Sequence, residues 1–243
     1  MRDAAARGGV LLVGLIGYGF SMAMMVRAGL GLDPWDALHQ GLARCTPMTI
    51  GVASAVVGVA VLLAWIPLRN RPGIGTVANV IVIAVTVDVS LALMPAPTSL
   101  PLRVAMLAGA VVLNAIATVL YIGAGLGPGP RDGLMTGLVV RTGLSVRLVR
   151  TSIEATVLTV GWLLGGTVGA GTVLYALGIG PLVQLFVRIT PTRVLARSGW
   201  ASVTASRDSA ARTGGRRTEA RRNRLTTMGE CPTPEATAST PIC

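Results

Sequence analysis

Asp36, His39 and Gln40 stand within five positions of one another in the stretch GLGLDPWDALHQGL, residues 29–42, of a chain otherwise dominated by apolar runs. A related stretch, GLGPGPRDGLMTGL at 125–138, returns a carboxylate, Asp132, in the place of Asp36. On a helix, Asp36, Gln40 and Arg44 share one face with His39 on its flank, while Trp35, Leu38, Leu42 and Cys45 share the other. Carboxylates in such apolar surroundings bind an ion, a proton or a polar solute. The competing reading is local: both aspartates fall at the third position of a helix start, where a carboxylate meets free backbone amides and the helix dipole. Asp88 and Gln184 lie inside apolar segments at matching places and extend the set of binding candidates.

Catalytic chemistry finds less support. His39 is the only histidine, and Cys45, Cys231 and Cys243 form no CxxC pair, so neither a zinc site nor a disulfide framework is expected. No nucleophile–base pair is visible, and the chain is expected not to be an enzyme. The glycines at 123, 125 and 127 lack the strand–turn–helix setting of a dinucleotide site, and the GxGT pair at 73–76 and 169–172 lacks a P-loop lysine. No cofactor is expected.

The elements that position these residues follow from hydropathy. The chain of 243 residues is 52% hydrophobic and 13% charged, with a mean hydropathy of +0.68, which points to a polytopic all-α membrane protein. About 20 apolar residues cross a hydrocarbon core of ~30 Å. Six segments qualify: 8–28, 50–68, 74–94, 102–123, 148–165 and 170–189. The first follows Arg2 and Arg7 as a signal peptide would, but no small-x-small cleavage site follows it, and it is expected to stay as a span. Between spans, Asp33 suits an N-cap and Pro34 the first helical position. A helix from Pro34 to about Cys45 would be ~18 Å long, too short to cross, so it is either interfacial or re-entrant.

A shift of 96 residues aligns the two halves without a gap. Gly29, Gly31, Pro34, Asp36, Gly41 and Thr46 fall on Gly125, Gly127, Pro130, Asp132, Gly137 and Thr142, and GIGTV at 73–77 falls on GAGTV at 169–173. Three spans per half is an odd number, so the second half enters the membrane inverted, as in many secondary transporters. The expected architecture is six transmembrane helices as two inverted three-helix repeats, 1–98 and 99–190, each with one short re-entrant or interfacial helix. Arginines before span one, between spans two and three, around the connection from span four to five, and after span six place both termini in the cytoplasm.

Residues 191–243 read as a disordered, arginine-rich cytoplasmic tail. Seven arginines between Arg207 and Arg224 face only Asp208 and Glu219, a composition that suits a solvated tail or contact with anionic lipids. Nucleic acid is not an expected partner, because no stacking aromatics accompany the charge.

The phrases GLGLDPWDALHQGL, TIG and IPLRNRPGIGTVAN resemble the YczE-like bacterial integral membrane proteins, related to the YitT and YyaS groups. The resemblance covers roughly residues 8–190 and implies a multi-pass protein of the bacterial plasma membrane. It brings no substrate and no catalytic residues. With the repeat, it leads to a secondary transporter or channel for a small solute or ion, with Asp36, Asp132 and Asp88 as binding or coupling residues. The alternative is a non-transporting regulator or assembly factor acting through the tail.

Overall fold

The computed structural model describes residues 2–190, which form eight helices and no strand. The arginine-rich tail, with Arg193 and Arg197, lies outside the described residues. In chain order the helices are α1 (Arg2–Ala28), α2 (Pro34–Cys45), α3 (Ile50–Leu68), α4 (Ile74–Leu93), α5 (Leu100–Gly123), α6 (Pro130–Thr142), α7 (Val146–Leu163) and α8 (Ala170–Ile189). Five of them, α1, α3, α4, α5 and α8, are long and apolar enough to cross a membrane. The exception among the six expected spans is α7, whose 18 residues include Arg147, Arg150 and Glu154. The outward faces carry large apolar side chains: Leu63, Ile81, Val85 and Leu177 are 58–73% exposed. Water would penalise such a surface heavily, whereas lipid tails would not.

α1 and α5, which occupy equivalent places in the two halves, pack along each other at the centre. Gly14 makes the approach possible, since a Cβ there would stand 2.7 Å from the Tyr121 backbone nitrogen. Leu15, Tyr18, Val87, Ala117 and Tyr121 fill one side of this seam, and Met25, Leu32, Ala37, Leu107 and Tyr175 the other. Asn114 ties three helices together at its middle, donating to Ser21 Oγ at 3.0 Å and accepting from Tyr175 Oη at 3.1 Å.

The stretches before α2 and α6 take the same backbone course. Gly31 and Gly127 have φ of +126° and +130°, a region essentially reserved for glycine. Each stretch crosses to the other half. Leu30 O accepts from Gly171 N at 2.8 Å at the start of α8, and Leu126 O accepts from Gly75 N at 2.9 Å at the start of α4. The GxGT segments explain these starts: Gly73 N donates to Thr76 Oγ1, and Gly169 N to Thr172 Oγ1, both at 3.2 Å. They are helix starts fastened to the opposite half, not phosphate loops.

The equivalence has exceptions of size. Trp65 at the end of α3 lies across Gly133 of α6, where any Cβ would meet the indole ring, and donates from Nε1 to Pro130 O at 3.0 Å. The position equivalent to Trp65 is Gly161 on α7, which lets α7 approach the backbone of Ala37 and Leu38 on α2. The pairs also differ in closure: α3 packs along α4, whereas α7 and α8 barely touch.

Candidate functional site

Asp33 opens α2 as expected of an N-cap, its Oδ1 accepting from Asp36 N at 2.6 Å. Its other oxygen, Oδ2, lies 3.4 Å from Arg131 Nη1, reaching from the first turn of α6. The starts of the two short helices therefore meet inside the protein. Arg131 also donates to Tyr18 Oη of α1, and its guanidinium carbon sits 5.3 Å from the Tyr18 ring centre and 5.7 Å from that of Trp35. Placement over aromatic faces and against a carboxylate compensates a cation held in this interior.

Asp36 is 2% exposed, and its Oδ1 has no hydrogen-bond partner among the described residues. The nearest cationic candidate on its own helix, His39, presents an equally unpartnered Nδ1 at 3.6 Å, too far for a hydrogen bond. Burial keeps that imidazole neutral, lowering its pKa to about 3, with the charge of Arg131 acting in the same sense. Burial raises the carboxyl groups of Asp33 and Asp36 to about 6 each. The charge of Asp36 adds to the effect on Asp33, and Arg131 opposes both. Asp132, the counterpart of Asp36, accepts from Tyr121 Oη at 2.8 Å. The helix-start bond in the first half is thus made by Asp33, leaving Asp36 available.

Two cavities border this centre. The smaller, about 50 Å³, lies toward α3 and α4 and reaches Asp36, His39, Ser54 and Asn79. The larger, about 320 Å³, lies toward α7 and α8 and reaches Asp33, Asp132, Tyr175 and Gln184, together with the Arg150–Glu154 pair at 2.9 Å. Tyr18, Trp35 and Arg131 line both. The larger space suits a small polar solute or a hydrated ion, with charges of both signs on its wall.

Of the residues singled out from sequence, Asp36 and His39 share the smaller cavity, and Asp132 and Gln184 the larger. Gln40 and Asp88 border neither. Gln40 Oε1 accepts from Thr167 N at 2.7 Å and fastens α2 to the connection between α7 and α8. Asp88 caps α3, accepting from Thr49 Oγ1 at 2.5 Å and from Gly51 N at 2.8 Å. Asp33, Arg131, Tyr18, Trp35, Tyr121 and Tyr175 complete the site and were not among those candidates. By sequence, Arg131 reads only as one of the arginines around the connection from span four to span five. The signal in reach was its place beside Asp132, one residue into a helix start and equivalent to Trp35.

Comparison with known proteins supplies a family and no ligand. Residues 5–188 match a family described as a "Family of unknown function (DUF6198)". An "Uncharacterized protein" of Haemophilus influenzae is 43% identical over 180 residues, covering 74% of this chain and 83% of that one. The "Uncharacterized membrane protein YczE" of Bacillus subtilis is 34% identical over 172 residues, covering 70% and 79%. The "Uncharacterized protein YyaS" of the same organism is 24% identical over 193 residues, covering 76% and 94%. No solved structure matches. A membrane relative, a family match over most of the chain and five helices fit for lipid lead to one conclusion: the chain is a YczE-like membrane protein and belongs to the DUF6198 family.

Proposed function

We propose that the protein is a secondary transporter or channel that moves a small solute or ion through the interface between its two halves. The observation that carries this reading is the larger cavity, whose wall combines Asp33 of the first half with Arg131, Asp132, Glu154 and Gln184 of the second. Buried charge is costly in a bilayer and is kept where a solute or ion must be met. In this reading α7 is the sixth crossing. Its 18 residues extend about 27 Å, and Arg150 and Glu154 neutralise one another at the edge of the larger cavity. The halves then lie inverted in the plasma membrane, α2 and α6 are re-entrant, and both termini are cytoplasmic. The shared loop backbones and exchanged hydrogen bonds support that arrangement.

Purified protein in liposomes tests it. A panel of ions, amino acids, organic cations and organic anions is offered under sodium, potassium and proton gradients. Flux above protein-free liposomes is expected for at least one member. Folded protein that moves none of them overturns the reading.

A further inference from the structure

The linings of the two cavities are related by the same 96-residue shift as the two halves. Ser54, Val57 and Gly58 of α3 border the smaller cavity, and their counterparts on α7, Arg150, Ile153 and Glu154, border the larger. Asn79 and Ile83 of α4 have Tyr175 and Ile179 of α8 as counterparts in the same way. Asp36 and Asp132 are mates, as are His39 and Met135. Trp35 and Arg131 are mates too, and both touch both spaces. The cavities are therefore two copies of one half-site. They differ in size because α3 is closed on α4 while α7 stands away from α8.

Charge pairing indicates what each half-site takes. Arg131 is paired with Asp33, and Arg150 with Glu154. That leaves one carboxylate per cavity with no cation paired to it among the described residues: Asp36 in the smaller and Asp132 in the larger. Asp36 is enclosed, borders its cavity, and keeps its Oδ1 without a hydrogen-bond partner beside a neutral His39. Tyr18 faces it from α1 and Arg131 from α6, while α3 and α4 offer only the uncharged Ser54 and Asn79.

We propose that the two cavities are the opposite ends of one path for a small monovalent cation, with Asp36 and Asp132 as its mate binding carboxylates and Tyr18, Trp35 and Arg131 as the partition between them. Here the α7–α8 end is the wider, about 320 Å³, and the α3–α4 end the narrower, about 50 Å³. The opposite arrangement opens the Asp36 cavity and closes the Asp132 cavity. This rests on the transport reading above and names the class of its cargo: a proton, an alkali-metal ion or a primary ammonium.

Two measurements decide it. Proteoliposomes are assayed for proton, sodium, rubidium and methylammonium flux, which separates the members of the class. At least one should move, and Asp36→Asn and Asp132→Asn should each lower that flux about tenfold or more, the effect of losing one charge-assisted contact. Flux of only neutral or anionic solutes, or cation flux untouched by both substitutions, overturns the cation path while leaving transport standing. Absence of all flux overturns transport itself.

The second measurement uses single cysteines at the mate positions, Val57→Cys and Ile153→Cys, in a full-length chain with Cys45, Cys231 and Cys243 changed to serine and its flux verified. A membrane-impermeant thiol reagent should reach the two from opposite faces of the membrane. Labelling of both from the same face overturns the proposal.

Discussion

Replacing Asp36 by asparagine should make the protein more stable at neutral pH, although it removes a charged group at the heart of the site. The carboxyl would ionise near 3.8 when freely solvated and does so only near 6 in its buried place. That difference of about two units corresponds to about 3 kcal/mol of cost for holding the charge inside. Below pH 3.8 the group is protonated in both folded and unfolded chains and costs nothing. The cost grows as pH rises through the window and is complete above about 6. Asparagine has nearly the same shape and never carries the charge. Asp33 titrates over the same range but is present in both chains, so it cancels from the comparison except through its repulsion of Asp36. Thermal unfolding in detergent, followed by intrinsic fluorescence, should place the Asp36→Asn variant several degrees above the parent at pH 8. The gap should close as pH falls below about 4. Equal melting at pH 8, or a gap unchanged at pH 4, would refute the account of Asp36 as a buried carboxylate whose charge Arg131 compensates only in part.

Other substitutions separate scaffold from site. Asp88→Ala removes the acceptor of Thr49 and Gly51 and should cost about 1–2 kcal/mol of stability, read by thermal unfolding; the folded fraction should keep its flux. Gly133→Ala drives a methyl into the Trp65 indole and should destabilise by about 1–3 kcal/mol, with Trp65→Phe in the same chain recovering part of the loss. Ending the chain after Arg197 should leave liposome flux unchanged, whereas a regulator acting through the arginine-rich tail would lose its function.

The parts of the fold that were legible in sequence are those fixed by local chemistry. DPWD marks a helix start because proline, a short carboxylate and the helix dipole act within one turn, and α2 runs over Pro34–Cys45 as read. Arg150 and Glu154 are four apart on a helix and pair as that spacing implies. The inward faces were not legible. The spans carrying Tyr18, Tyr121 and Tyr175 are apolar on every side, since both lipid and protein interior accept such residues, so no periodicity marks the side that meets the site. Arg131 was equally hidden, because an arginine in a connection looks alike whether it faces water or turns inward to Asp33. Asp88 was ambiguous for a further reason: the amide it satisfies, Gly51 N, belongs to α3, 37 residues earlier in the chain.

The exchange of sizes between Trp65 and Gly161 bears on how the chain can be assembled. Two copies of the first half brought together as the halves are here would set Trp65 against Ala37, whose methyl occupies the place that Gly133 leaves vacant. Two copies of the second would set Gly161 against Gly133 and leave a void. Only the mixed pair fills the space. Residues 1–98 and 99–243 expressed as separate chains in one cell should therefore find each other and reject themselves. A duplication still written in the paired loops and helix starts has become irreversible through a single indole ring.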